Sequence, residues 1–417
     1  MRNIGIVGAG VAGLQLGLAL RQHGIAATIY TEQTPAQQFG SRLPALVARA
    51  GHTRTRERQL GINHWDGANN EFGRIHVYVS GDQPLAFHGN LVQPFIAVDM
   101  RIYCGRLLKD FAARDGRVVS GAVQAGEVAQ LATAHDLLVV ATGRGGLTEL
   151  FPRMAMHSPF TRPQRLLCSG LFRGVAPAPG PPSASVTFVP QHGEIFDFPI
   201  YSFEPHVTGM GFEAVPGGAF EALVGMRYAE HPRAFEGRLL SLLREYAPAL
   251  YTRIDPARFG LTRPLDLLQG GVTPTVRRGY TSLGNGRWAL ALGDVHIVND
   301  PLTGQGANTA SYAAWLVGEA IRDEEIFDEA FCQRLEQRVW AYAGPIVAWT
   351  NAMLQPPQPH MIDLLVAAAQ DQTIADAFAN FFERPLHAWE ILSSPAHTAA
   401  FLEQHGWQGL PGVKLAA

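Results

Sequence analysis

The chain has 417 residues, of which 47% are hydrophobic and 17% charged; an average soluble domain is roughly 25% charged, so a disordered chain is excluded and a large interior, spread over two to three domains, is expected. Lys and Arg number 33 against 36 Asp and Glu, a net charge of −3, which lacks the positive field of a nucleic-acid or anionic-lipid binder. Cys104, Cys168 and Cys332 are widely spaced and odd in number, so neither a disulfide framework nor a CxxC metal site can be read, in keeping with a reducing compartment.

Arg2 and the apolar run Ile4–Leu20 share features with a secretory signal, but five glycines and Gln15 interrupt the run. Arg21-Gln22-His23 then stands where a small-residue cleavage site is needed. No later window has the 18 apolar residues of a membrane span, and the chain reads as cytoplasmic.

Residues 4–7, IGIV, predict a buried strand, and Gly8-Ala-Gly10-Val-Ala-Gly13 follows directly. Leu14, Leu16, Leu18 and Leu20 enter a helix ended by Gly24, and Ala26–Tyr30 predict the next strand. A G-x-G-x-x-G between strand and helix is a dinucleotide signature. Gly8 permits the tight turn, Gly10 lets the backbone approach a pyrophosphate, and Gly13 lets the helix pack on the sheet, with free N–H groups at the helix start facing the phosphates. The ribose-binding acid belongs about twenty residues beyond the glycines. Thr31 and Glu32 both stand there, a hydroxyl and a displaced carboxylate, and both are candidates.

Further along, Arg74–Ser80 alternates as a strand does. Asp136–Gly143 predicts a buried strand ending in Ala-Thr-Gly. Ala176–Ser183 reads as a linker at the edge of a sheet whose antiparallel strands are Ser185–Val189, Ile195–Phe203 and His206–Glu213. A helix is expected over His231–Tyr246. Trp288–Asp294 is another strand, ending in Gly293-Asp294, and Asp300-Pro301-x-x-Gly304-Gln305-Gly306-Ala307-Asn308 opens a helix over Thr309–Arg322. Helical patches at Glu324–Tyr342 and Ile362–Phe382 are broken by Pro356–Pro359 and Pro385.

The glycine motif, the Ala-Thr-Gly strand and the Gly-Asp strand with its Pro-x-x-Gly-x-Gly loop occur in the order of a glutathione-reductase-type FAD domain, which favours FAD over NAD. A carboxylate after a strand can accept from ribityl hydroxyls, and N–H groups at a helix start suit the negative edge of a flavin. The expected fold is α/β: a Rossmann FAD domain split over 1–44, 97–156 and 275–325, an inserted, mainly antiparallel β-sheet substrate domain from 45–96 and 157–274, and a helical region over 326–417.

Nearly the whole chain resembles the oxygenase component of two-component styrene and indole monooxygenases, relatives in fold of the aromatic hydroxylases. The residues that carry the likeness are Gly5–Gly10 with Arg21-Gln-His, Arg42-Leu43, Ala97-Val-Asp99-x-Arg101, Ser158-Pro-Phe-x-x-Pro-Gln-Arg165 with Gly170-Leu-Phe172, Gln269-Gly-Gly-Val272-x-Pro274, Gly293-Asp294, Asp300–Asn308 and Ser311-Tyr-Ala-Ala-Trp315. The resemblance implies reduced FAD supplied by a separate NADH-dependent flavin reductase, O2 as oxidant, a flavin C4a-hydroperoxide, and epoxidation of an aryl alkene or indole. It implies FAD contacts from Thr31, Glu32, Arg42, Arg101, Val123, Gly143 and the loop Pro301–Asn308 (Gly304, Gln305, Gly306, Ala307, Asn308), beside Gly8, Gly10, Gly13, Gly293 and Asp294. Ala45, Val47, Arg49, Phe95, Ile195, Phe198 and Pro301 are candidate walls for a small aromatic substrate. No side chain is assigned a catalytic role, because the flavin carries the chemistry; a homodimer is compatible with the family.

Two absences bear on the alternatives. The Asp-Gly element that single-component hydroxylases use for NADPH is replaced by Ala141-Thr-Gly-Arg-Gly-Gly146, and the Trp-x-Trp-x-Ile-Pro signature of flavin halogenases is missing. A single-component NAD(P)H-dependent hydroxylase and a non-catalytic FAD-fold binding protein remain the competing readings. Subtype is mixed: Ala45, Val47 and Arg49 match neither the styrene nor the indole pattern, Phe95 replaces a small residue, and Phe72 and Ile75 align only loosely. Arg54, Arg56 and Arg58 share the parity of one strand face, read either as solvated or as a docking surface for the reductase. Arg49 is a candidate to meet a polar substrate group, and His296 is either a proton relay or a structural histidine. No histidine pair has zinc-ligand spacing.

Overall fold

The strand Asn3–Val7 stands inside a six-stranded sheet whose order is Tyr280–Gly284, Arg287–Ala291, Leu137–Val140, Asn3–Val7, Ala26–Thr31, Arg117–Ser120. The structure is a computed structural model and describes residues 2–68, 70–284 and 286–407. Every neighbouring pair in this sheet is parallel except the hairpin between Tyr280–Gly284 and Arg287–Ala291. A parallel sheet must be covered on both faces, and strand parity divides the side chains accordingly. Ile4, Ile6, Leu137 and Val139 join the core under the helix Val11–Gln22, whereas Val7, Leu138 and Val140 pack with Val128, Leu147 and Phe151 on the other side.

The alternate leucines of that first helix are all buried, although helical positions two apart point in different directions. The helix is enclosed: the sheet lies on one side, and the helices Gly306–Asp323 and Met100–Ala113 lie on the others. Close approach requires glycine at specific points. A Cβ on Gly17 would stand 2.9 Å from Ile29 and 3.0 Å from Phe111, and one on Gly13 would stand 2.1 Å from the carbonyl oxygen of Gly8.

The second sheet has nine strands drawn from two separated stretches of chain. Leu166–Arg173, Val207–Ala214, Gly193–Ile200 and Ser183–Val189 are antiparallel neighbours, and Ser183–Val189 then pairs in parallel with Glu71–Val79. Glu71–Val79 forms a hairpin with Leu85–Ala97, a 13-residue strand that the sequence reading missed. The helix Pro232–Tyr246 covers one face with Phe235, Leu239, Leu242 and Leu243 against Ile195, Met210 and Phe212. The C-terminal helices cover Ile75 and Val77. Glu329–Met353 begins later than expected, Pro359–Ala368 begins earlier, and the second expected patch is divided. Asp328 caps Glu329–Met353 by accepting from Phe331 N–H at 2.8 Å, and Asp371 caps a new helix, Gln372–Ala379, inside the patch read as one.

The basic run forms a helix, Gly51–Gln59, and not a strand; the strand is confined to Ala48–Arg49. Nor is it a solvated face. Arg54 is 2% exposed and bonds Asp66 at 2.7 Å, and Arg56 is 9% exposed with Nε on Ser311 at 3.1 Å and Nη2 on Thr53 at 3.0 Å. Buried as they are, these two residues offer no docking surface; Arg58 alone of the three keeps a half-exposed side chain, paired with Asp66.

Crowding at the first turn gives a measurable contrast. Gly13→Ala drives a methyl into backbone, and overpacking of this kind costs about 1–3 kcal/mol, read as a lowered urea midpoint. At Gly10 an added Cβ meets nothing within 4 Å, so Gly10→Ala costs less than about 1 kcal/mol, the difference between glycine and alanine at a helix N-cap.

Candidate active site

A cavity of about 830 Å3 lies between the carboxyl ends of the parallel strands and the inner face of the second sheet. Ligands of open α/β sheets bind at such strand ends. The turn Gly8–Gly10 and the start of the first helix line one part; Thr31, Glu32 and Val123 line another. Gly143, Gly293, Asp294, Pro301, Gly304, Gly306 and Ala307 converge on the same space, with Arg101, Ala45 and Val47. The fold therefore brings together most of the residues singled out from sequence.

The wall of this cavity is shaped to admit a ligand backbone-close. Added Cβ atoms at Gly10, Gly143, Gly304 and Gly306 would meet no protein atom within 4 Å. The helices Val11–Gln22 and Gly306–Asp323 both begin there without a side-chain cap, so their first N–H groups and the positive ends of their dipoles are offered to an anionic ligand. Thr31 Oγ1 already donates to the carbonyl of Gln33 at 3.1 Å, which leaves the Glu32 carboxylate as the free acceptor at that end. Burial pushes the Asp294 carboxyl up from its ordinary range. A dinucleotide with a pyrophosphate, ribose hydroxyls and a flavin ring fits this donor and acceptor set.

Several expected residues stand elsewhere. Gly13 packs against Gly8 and does not line the cavity. Arg42 is exposed and does not line it, although Ser41 and Pro44 close by do. Gln305 is buried, with Nε2 on the carbonyls of Thr303 (3.1 Å) and Phe382 (3.0 Å). Asn308 lies behind the wall and acts as a staple: Oδ1 accepts from Ala50 N–H (3.0 Å) and Thr53 Oγ1 (2.8 Å), and Nδ2 donates to Ala48 (3.2 Å) and Gly304 (3.0 Å) carbonyls. Arg101 touches the cavity but spends its guanidinium on Asp99, at 2.9 and 2.6 Å, on Asp266 at 2.7 Å and on Ser41 O at 3.0 Å. Although burial opposes it, hydrogen bonds from Arg263, Thr262 and Arg101 hold Asp266 below the usual carboxylate range.

The substrate-side expectations need larger correction. Arg49 is 1% exposed and sunk behind the wall. It pairs with Glu57 at 2.7 Å and stacks 4.4 Å from the Tyr103 ring, and Tyr103 in turn donates to Glu57 at 2.8 Å. It does not line the cavity. Ile195 points to the opposite face of its strand, under the helix Pro232–Tyr246; by the period-two rule its neighbour Phe196 takes the cavity side. Phe95 and Phe198 pack against Phe72, at ring distances of 5.9 and 6.2 Å from it, off the cavity lining, and Phe198 stacks beside Phe196 on the same strand face at 6.1 Å. The apolar wall is instead Leu46, Ala48, Leu167, Phe196, Leu268, Val272 and Val298, beside Ala45, Val47 and Pro301. Strand alternation would have selected Phe196; no sequence signal marked Leu46 or Ser169.

Two titratable groups near this wall are held neutral. Burial pushes the Cys104 thiol up to about 12. His296 lies off the cavity against Gly279, and burial pushes it down to about 4, so it is a neutral structural residue at pH 7 and no relay. Among the described residues no cluster of three or more His, Cys, Asp or Glu could hold a metal ion, and no helix is long and apolar enough to cross a membrane.

Residues 143–253, which include four strands of the second sheet, match the family model for the substrate-binding domain of styrene monooxygenase A. Among solved structures, a flavoprotein/dehydrogenase from Cytophaga hutchinsonii is similar over 97% of this chain and 99% of its own, with a TM-score of 0.69 at 12% identity. The FAD-dependent myxobacterial chondrochloren halogenase CndH is similar over 96% and 93%, with a TM-score of 0.62 at 14% identity. These two establish kinship of fold. The styrene monooxygenase StyA of a Pseudomonas species is 40% identical over 97% of this chain and 98% of its own length. An agreement of that depth, sustained from the glycine turn through the second sheet to the C-terminal helices, means that the chain belongs to the styrene monooxygenase A family.

Proposed function

We propose that the chain is the oxygenase of a two-component flavoprotein monooxygenase, taking reduced FAD from a separate NADH-dependent reductase and using O2 to epoxidise a small aryl alkene or indole. The observation that carries this reading is a single cavity in which uncapped helix starts and Cβ-free glycines adjoin an apolar, neutral wall. Overall, alkene, O2 and reduced FAD give epoxide, water and oxidised FAD. Bound FAD supplies the electrons and the electrophilic oxygen transfer.

The protein supplies position and dryness. Gly10 and the first N–H groups of Val11–Gln22 hold the pyrophosphate, Glu32 accepts from ribose hydroxyls, and Asp294 accepts from the ribityl chain. Gly306 and Ala307 present N–H groups to the pyrimidine edge of the ring. Phe196, Leu46, Ala48 and Val272 hold the alkene and exclude water, whose entry would divert the reaction to peroxide. An alkene offers no acidic proton, so no general base is needed, and a wall of neutral groups suffices.

Three outcomes check this reading. Gly10→Val fills the space of the pyrophosphate without touching protein, so it abolishes FAD retention while leaving the fold intact by circular dichroism; normal flavin affinity would overturn the assignment. The purified chain alone oxidises NADH and NADPH negligibly, and forms epoxide once a flavin reductase or chemically reduced FAD is added under air; rapid NADPH oxidation by the isolated chain would establish a single-component enzyme instead. Phe196→Ala shifts preference toward bulkier aryl alkenes by about 1–3 kcal/mol in kcat/KM ratios and raises peroxide per reduced flavin. Phe95→Ala, off the lining, chiefly costs stability, about 3–5 kcal/mol, with a smaller change in substrate ranking.

A further inference from the structure

The inner face of the second sheet carries a buried charge set that oxygen transfer does not use. Glu213 and Glu194 stand directly opposite each other on the paired strands Val207–Ala214 and Gly193–Ile200. Arg165 grips Glu194 in two bonds, Nε to Oε2 at 2.7 Å and Nη2 to Oε1 at 2.9 Å. Asp300 meets the set from the loop that leads into Pro301. Its Oδ1 accepts the N–H of Leu302 at 3.1 Å, while its Oδ2 has no protein donor. Neither oxygen of Glu213 has a protein donor. Glu213 and Asp300 are both 0% exposed, and Glu194 and Arg165 are buried with them.

Three carboxyls and one guanidinium make this set. Were all ionised, two negative charges would remain uncompensated out of reach of water, at a cost of several kcal/mol each. The bare oxygens of Glu213 and Asp300 neighbour each other, and two buried carboxyls side by side can bond only when one of them carries a proton, the donor that no other protein group supplies here. Burial, reinforced by the neighbouring carboxylates Asp300 and Glu194, pushes Glu213 well above the ordinary range. Burial likewise pushes Asp300 up, to about 6.

We propose that Glu213 and Asp300 share a single proton at neutral pH, and that this carboxyl–carboxylate bond seats the turn Pro301–Thr303 on the sheet, making Glu213 a positioning residue for the Pro301 wall of the cavity. Glu213 touches no cavity space and acts through Asp300. The functional half rests on the oxygenase reading; the proton itself does not.

Unfolding releases the pair to water, where Asp and Glu titrate at about 3.9 and 4.3. Above those values the folded chain holds more protons than the unfolded chain, and above the Asp300 value of about 6 it holds one more, so stability falls as pH rises, until the folded pair itself loses that proton. One proton of difference changes the unfolding equilibrium constant about tenfold per pH unit. Glu213→Gln keeps a donor toward Asp300 and copies the protonated pair at every pH, so it removes the linkage.

The test is denaturant unfolding of the full chain between pH 7 and pH 8, wild type beside Glu213→Gln, with Asp300→Asn as the second subtraction should the first fail to fold. The unfolding constant of the wild type should rise about tenfold more across that unit than that of the variant; parallel pH dependence in wild type and variant overturns the shared proton. With reductase present, epoxide per NADH in the wild type should fall on the alkaline side, where the Gln variant stays level, and Glu213→Ala should be low throughout. A Gln variant that follows the wild type at alkaline pH, or an Ala variant that matches it, overturns the positioning role. A wild type that makes no epoxide at any pH defeats the oxygenase reading while leaving the unfolding test intact.

Discussion

One buried amide holds the two sides of the cavity together. Asn308 bonds Ala48 and Ala50 near the strand that ends the second sheet, Thr53 in the helix that follows, and Gly304 in the loop at the ends of the parallel strands. All four of its hydrogen-bonding valences are used, and an amide so satisfied is costly to displace. The spacing between Ala48 on one wall and Gly304 on the other follows from the reach of that side chain. Thr53 extends the link through Arg56 to Ser311 on the next turn of the same helix as Asn308. The basic run is thus part of the frame, and Arg54 and Arg56 are buried where other elements supply their acceptors.

Polar order in this protein is kept out of the reaction space. Ion pairs such as Arg49 with Glu57 and Arg101 with Asp99 and Asp266 lie behind or beside the wall. Around Phe196 the wall is mainly aliphatic and aromatic, with Ser169 and Asn299 among its polar members and Cys104 protonated nearby. An oxidant that must survive long enough to meet an alkene needs such surroundings, since mobile protons and water would discharge it. The ionic framework gives the wall rigidity without lending it reactivity.

The parts legible in the sequence were those with a local cause. The glycine turn, the parallel strands ending in Ala-Thr-Gly and Gly-Asp, and the helix opened by Gly306 each follow from short-range sterics and burial. The basic run was misread because alternation of Arg54, Arg56 and Arg58 mimics a strand, whereas their partners Asp66, Glu71 and Ser311 are supplied by other elements. Ile195 was misplaced for a similar reason: both faces of its strand are buried, so hydrophobicity alone could not say which face held Phe196. Leu85–Ala97 escaped notice because its burial lacks a clean period of two and a register shift interrupts its pairing with Glu71–Val79. Asn308 read as a ligand contact because sequence shows a loop's residue types and not the direction in which each one points.

The parallel seam between Glu71–Val79 and Ser183–Val189 has a consequence for how the molecule is assembled. The segment 143–253 that matches a substrate-binding domain supplies only part of the sheet. Cut out alone, it would leave Ser183–Val189 as a bare margin, with backbone groups from Ala184 to Phe188 open to any passing strand. Its partner strand emerges from the ribosome more than a hundred residues earlier and must wait, unpaired along that side, until the later strands arrive. The region is a domain by ancestry and by shape, but not a unit that can be lifted from the chain; grafting it between relatives would require carrying both strips of sequence and the seam that joins them.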